Sequence, residues 1–100
     1  KMKRMIDKEY IPAPINLSDV ELPNDLEQLT ELIARNVHEV WAQKKLQQGW
    51  KYGEVTDVEQ NTHSSLVPYE QLSEQERSYD RDTAMKTIRL ILKLGYKISK

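Results

Sequence analysis

Apolar residues set the plan of the chain. From Leu26, the positions Leu29, Ile33, Val37, Val40 and Trp41 recur at intervals of three and four, the period of one helical face, and Leu32 and Ala34 widen the stripe. The spacing predicts a helix over about 25–48, with Asn24 or Asp25 as its cap and Gly49 closing it in a left-handed conformation. A second stripe of Tyr79, Ala84, Ile88, Ile91 and Leu92, broadened by Met85 and Leu94, predicts a second helical region. Ser73-Glu74-Gln75-Glu76 opens it with capping-box spacing, Asp80 offers a fresh start within it, and Gly95 ends it. Tyr96-Lys97-Ile98 then reads as a short terminal strand. Residues 50–72 follow neither period. Val55, Val58, Leu66 and Val67 allow at most short strands, 60–65 is a polar loop, and Pro68 ends any strand.

Ahead of the first helix, Pro12-Ala13-Pro14 and Pro23 impose an extended path. Tyr10, Ile11, Ile15, Leu17, Val20 and Leu22 are interleaved with them, too apolar a set for a free tail. The expectation is an arm pinned across the domain surface, the alternative a disordered lead-in. The expected fold is mainly α: two long antiparallel helices, an extended N-terminal arm, and short strands in the connecting loop. One domain fills residues 1–100, with a lead-in over 1–9, the arm over 10–24 and the helical body over 25–98.

Composition sharpens this picture. A chain of 100 residues buries one core, and with 38% apolar residues and no Phe that core must lean on Leu, Ile, Val, Trp and Tyr. Trp41 and Trp50, at the end of the first stripe, are therefore expected to be largely buried. Fifteen basic residues against sixteen acidic ones argue against a nucleic-acid partner or an anionic membrane surface. The lack of cysteine excludes disulfides, zinc–thiolate sites and thiol catalysis and favours a cytoplasmic location. No stretch is apolar enough to insert into a membrane, and the basic run Lys1–Arg4 lacks the apolar segment of a signal peptide. The chain opens on Lys rather than Met, which leaves open whether residues precede it.

Several short motifs fall in order along the chain. Tyr10-Ile11-Pro12-Ala13-Pro14 is followed by Leu22-Pro23-x-x-Leu26, then by Ala34-x-Asn36-x-His38-Glu39-x-Trp41-Ala42. Gly49-Trp50-x-Tyr52-Gly53 forms the turn beyond that helix. Leu66-Val67-Pro68-Tyr69-x-x-Leu72, Glu76-x-x-x-Asp80-Arg81 and Leu94-Gly95-Tyr96 complete the series. Each piece is weak alone; together, in order, they resemble the RyR domain, the repeat found in pairs in ryanodine receptors and singly in prokaryotic proteins. The resemblance implies a mainly helical module with short strands. In the receptors such modules are cytosolic and belong to a regulatory assembly rather than the pore. It also implies, for single-copy prokaryotic members, sensor modules with a nucleotide-derived ligand.

The chemistry-bearing residues are few. His38 lies one position from the first stripe, where it is either a ligand contact or a partly buried, hydrogen-bonded histidine, the reading the helical setting favours. Asp57, Glu59, Asn61 and His63 alternate like a calcium loop, but Thr62 and Pro68 stand where the turn glycine and bidentate glutamate are needed. His63, Ser64 and Ser65 are adjacent, whereas a hydrolase needs its base and acid to converge from separate elements. No metal site, cofactor or catalytic group is expected. Trp50, Tyr52, Tyr69 and Tyr79, with Arg77, Arg81 and His38, remain as ligand-binding candidates. Aromatic faces stack on a base, and an arginine fork takes a phosphate. The competing account makes the aromatics core and the arginines surface ion pairs. The expected function is a non-catalytic binding or sensor module for a nucleotide-like small ligand. The alternative is an interaction module without a ligand, pairing with itself as a homodimer or with a partner protein.

Overall fold

The structure, a computed structural model, describes residues 9–100, so nearly all of the expected lead-in lies outside the described residues. It is mainly helical. A 3-10 turn, Asn24–Leu26, runs into α1, Glu27–Gln47. Two short strands follow in the connection, β1, Lys51–Tyr52, and β2, Thr62–His63; a second 3-10 turn, Tyr69–Gln71, then leads to α2, Glu74–Lys93.

Each helix end has a readable cause. Neither Asn24 nor Asp25 caps the first helix with its side chain. The extended Pro23 instead feeds the 3-10 turn, its carbonyl accepting the Leu26 N–H at 2.9 Å. At the start of α2 the expected capping box is complete: the Ser73 hydroxyl accepts the Glu76 N–H and the Glu76 carboxylate accepts the Ser73 N–H, both at 3.1 Å. Asp80 starts nothing new, because α2 runs unbroken through it. Both helices close with a left-handed glycine, Gly49 at φ +93° and Gly95 at φ +96°. In each case two crossed hydrogen bonds satisfy the last carbonyls: Gly49 N–H to Leu46 O and Trp50 N–H to Lys45 O, then Gly95 N–H to Leu92 O and Tyr96 N–H to Ile91 O. Tyr96 is committed to that turn, and residues 96–98 do not form the expected strand.

The buried stripe of α1 is rotated from the one hydropathy suggests. Leu26, Thr30, Ala34 and His38, each four residues apart, are buried, while Leu32, Val37 and Val40 are exposed. Two polar residues fit the buried row because their hydrogen bonds are made. Thr30 Oγ1 donates to the Leu26 carbonyl at 3.1 Å, and His38 Nε2 donates to the Val67 carbonyl at 2.7 Å. On α2, Ala84 and Ile88 are buried, but Tyr79 is 74% exposed. Ala34, Tyr69, Leu72 and Ala84 form one cluster, with Ile33 and Val67 packed against it. Small alanines on both helices let the backbones approach, and the Tyr69 ring fills the remaining space. Trp41 and Trp50 are half-buried rather than buried, because the core closes on Tyr69 and leaves both indoles at its margin.

The arm is pinned over only part of its length. Tyr10 and Ile11 are exposed, whereas Leu17, Val20 and Leu22 are half-buried. Pro14, Ile15 and Leu17 border a hollow shared with Thr83, Thr87 and Leu90 of α2. Lys93 Nζ holds the Asp19 carboxylate at 3.0 and 3.1 Å.

The two strands pair in parallel, Lys51 with Thr62 and Tyr52 with His63. Parallel pairing across so short a connection requires the loop to fold back on itself. Asp57 pairs antiparallel with Thr62, the Asp57 carboxylate accepts the Glu59 N–H at 3.0 Å, and Asn61 takes φ +58°. Thr62 Oγ1 then ties the loop by donating to the Val55 carbonyl at 2.9 Å.

Candidate functional site

A cleft of about 550 Å³ opens where α1, the β2 segment and α2 meet. Helical spacing places its walls. His38 and Trp41, three residues apart, share a face of α1; Glu76, Tyr79 and Asp80 share a face of α2. The strand pairing that fixes β2 brings in His63, and Ser65 follows it.

The rings form a connected row. His38 stacks on Trp41 with centroids 5.6 Å apart and planes at 26°. Trp41 meets His63 edge-on at 4.9 Å, and His63 meets Trp50 at 6.1 Å. Beyond them Lys45 Nζ sits 4.6 Å from the centre of the Trp50 ring. Tyr79 borders the same cleft and stays largely open to solvent.

Hydrogen bonding fixes the imidazoles. A carbonyl oxygen only accepts, so the proton on His38 lies at Nε2, facing Val67. His63 Nδ1 accepts the Ser65 N–H at 3.1 Å, which places the proton of its neutral ring at Nε2. The Ser65 hydroxyl donates to Glu76, whose other oxygen takes the Ser73 N–H and hydroxyl. The Ser65 bond is the main reason the Glu76 carboxyl is held below the usual carboxylate range. Asp80 is the opposite case. Burial pushes its carboxyl up, His38 pulls against that, and the negative charge of Glu76 adds to it. Among the described residues no three His, Asp or Glu side chains converge as metal ligands.

The structure distributes the sequence-derived candidates over several places. His38 and Tyr79 line the cleft, and Trp50 lies behind His63. Tyr52 is exposed on a separate hollow with Leu46, Leu66 and Pro68. Tyr69 is core, so no face of it is open to a base; its hydroxyl is buried beside Glu31 and Arg81 without completing a hydrogen bond. Burial and the Glu31 charge push that phenol up. Arg77 donates to the Glu70 and Leu72 carbonyls at 2.9 and 3.1 Å and to Glu74 at 2.9 Å. Arg81 reaches the other oxygen of Glu74 at 2.5 Å, and neither arginine lines the cleft. The shared Glu74 carboxyl is held low by Arg77 first and Arg81 second.

Trp41, His63, Glu76 and Asp80 are the cleft residues that sequence reasoning assigned elsewhere: to the core, a failed calcium loop, a helix cap and a helix start. The signal present in the sequence was Glu76-x-x-Tyr79-Asp80, an aromatic and two acids on one helical face facing the one that carries His38 and Trp41. The model of one protein family, the RyR domain, matches this chain over residues 10–100.

Proposed function

This chain belongs to the RyR domain family, and on that premise we propose that it is a non-catalytic binding module that holds a small ligand in the cleft between α1 and α2. The observation that carries the reading is Tyr79. A tyrosine 74% exposed on the wall of a ring-lined cleft has no part in the core, and its face is available to a planar guest. A nucleotide-like ligand suits such walls, its base lying against Trp41 and Tyr79. The reading includes a cytoplasmic module of prokaryotic type, as the cytosolic placement of the receptor repeats suggests. Among the described residues no helix is long and apolar enough to cross a membrane. A thermal-shift series with mononucleotides tests the proposal. A ligand that binds only the native state at a hundredfold excess over its Kd adds about 2.7 kcal/mol of apparent stability. The midpoint is expected to rise with one nucleotide and to lose that rise in Tyr79→Ala. A series in which none moves the midpoint would count against the reading.

A second reading has its own support. Leu46 and Tyr52 are exposed on the hollow bounded by Leu66, Val67 and Pro68, an apolar surface suited to a partner protein or a second copy. Sedimentation equilibrium separates them: a monomer at high micromolar protein removes the homodimer.

A further inference from the structure

The carboxylates of the cleft lie together on one wall. Two carboxylates, Glu76 and Asp80, lie on its α2 wall, and among the described residues no lysine or arginine lines it. Arg77 and Arg81, their neighbours in sequence, are turned to Glu74. Glu76 already accepts from Ser65 and Ser73. Asp80 is half-buried and has neither a hydrogen bond nor an ion pair among the described residues. A carboxylate drawn from water without a partner is costly to hold. His38, only 5% exposed, donates from Nε2 to Val67, and its Nδ1 makes no hydrogen bond among the described residues. The donors on its walls without a hydrogen bond among the described residues are uncharged or imidazole groups: His63 Nε2, the Trp41 indole N–H, the Tyr79 hydroxyl and the Gln75 amide. Around these groups stand aromatic rings, whose faces attract cations.

We propose that the cleft selects its ligand by a cationic, N–H-bearing group, an amidinium, guanidinium or protonated amine, seated on Asp80 with its apolar or aromatic body against Trp41 and Tyr79. A planar amidinium donates two parallel N–H groups, which matches a free carboxylate. A phosphate in the same position faces two carboxylates and, among the described residues, no lysine or arginine. The inference rests on the cleft being a ligand site. A nucleotide-like ligand, whose base is uncharged, would meet Asp80 with the N–H groups of its amino edge and keep its phosphates outside.

The test compares benzamidinium with benzamide, two probes of nearly one shape that differ in charge. Each is titrated into the full chain by calorimetry, with the Trp41 and His63 side-chain N–H signals followed by NMR. Benzamidinium is expected to shift both signals and to bind at least about tenfold more tightly than benzamide, a gap of about 1.4 kcal/mol. Asp80→Asn should bring the two probes level. That variant keeps the shape of a side chain that makes no hydrogen bond, so its melting midpoint should match or exceed the parent's. Tyr79→Ala, at an exposed position, should weaken benzamidinium without altering the midpoint. Equal binding of both probes with the same shifts would overturn the cationic selection while keeping the ligand site. So would AMP binding there more tightly than adenosine. If no probe moves the Trp41 or His63 signals, the inference and the site reading both fall.

Discussion

The His38 ring is joined to the backbone of Val67 by a 2.7 Å hydrogen bond across a separation of 29 residues, and this bond fastens the connecting segment to α1. Val67 immediately precedes Pro68 and the turn that carries Tyr69 into the core. The histidine therefore orders the loop on one side and forms the cleft wall on the other.

His38→Phe keeps the ring and removes the donor. The Val67 carbonyl is then left without its partner beneath an apolar side chain, at a cost of about 1–3 kcal/mol. Urea unfolding should register that loss. Loss of β2 chemical shifts from their parent positions should accompany it, since the loop is no longer tied at Val67. An unchanged denaturation midpoint would mean that the bond contributes nothing net.

Gly53 is constrained by space rather than by dihedral angle. A Cβ there would lie 2.6 Å from Thr62 Cβ and 2.9 Å from Thr62 Cγ2. Thr62 cannot swing away without releasing the Val55 carbonyl or its strand pairing. Gly53→Ala is expected to cost about 1–3 kcal/mol through this overpacking. Gly53→Ala combined with Thr62→Ser, which removes Cγ2 but not Cβ, should recover part of the loss. Recovery in the double variant is the measurement that separates crowding from a general effect of alanine.

The helices were legible because their signals are local. Capping-box spacing at Ser73 and a glycine after each apolar stripe fix helix ends by hydrogen bonding within a few residues. The buried face of α1 was not legible in the same way. Thr30 and His38 count as polar in a pattern, and only their partners, the Leu26 and Val67 carbonyls, make them interior residues. Val37 and Val40 then turn outward because a helix has one buried row here and these residues are off it. The cleft was half legible. His38 and Tyr79 could be named from the chain, but the joining of His63 to Trp41 depends on a parallel strand pair that no periodicity announces. Arg77 and Arg81 were chosen for their charge, and the structure gives that charge to Glu74.

The arm divides into a free and a docked part, and the two should respond differently to truncation of single side chains. Ile11 is 78% exposed, so Ile11→Ala should stay within about 0.5 kcal/mol of the parent, as surface changes do. Leu17 is half-buried against α2, and Leu17→Ala should cost about 1 kcal/mol for the apolar area returned to water. Differential scanning calorimetry of the pair decides whether the docked part belongs to the cooperative unit. Equal midpoints for both variants would make the whole arm passive.

The carboxylates predict how stability follows pH, and they do not all pull the same way. Glu76, Asp19 and Glu74 are held low, by Ser65, by Lys93 and by the two arginines in turn. A folded-state value below the unfolded one stabilises above the ordinary carboxylate range, and that contribution is lost as pH falls through it. Asp80 has the opposite sign. Its folded value is raised by burial, so the folded state binds its proton more tightly, and its contribution is lost as pH rises through that value. The melting midpoint is therefore expected to fall on acidification, with Asp80 opposing the trend. Glu76→Gln, which keeps one oxygen for the capping box, should cost about 0.5–1 kcal/mol near neutrality and flatten the acid limb. Asp80→Asn should instead match or exceed the parent near neutrality and lose that advantage in acid, where the parent carboxyl is already protonated. Midpoints measured from strongly acidic to neutral buffer check both signs. An Asp80→Asn profile that runs below the parent near neutrality would show that the carboxylate has a stabilising partner in solution.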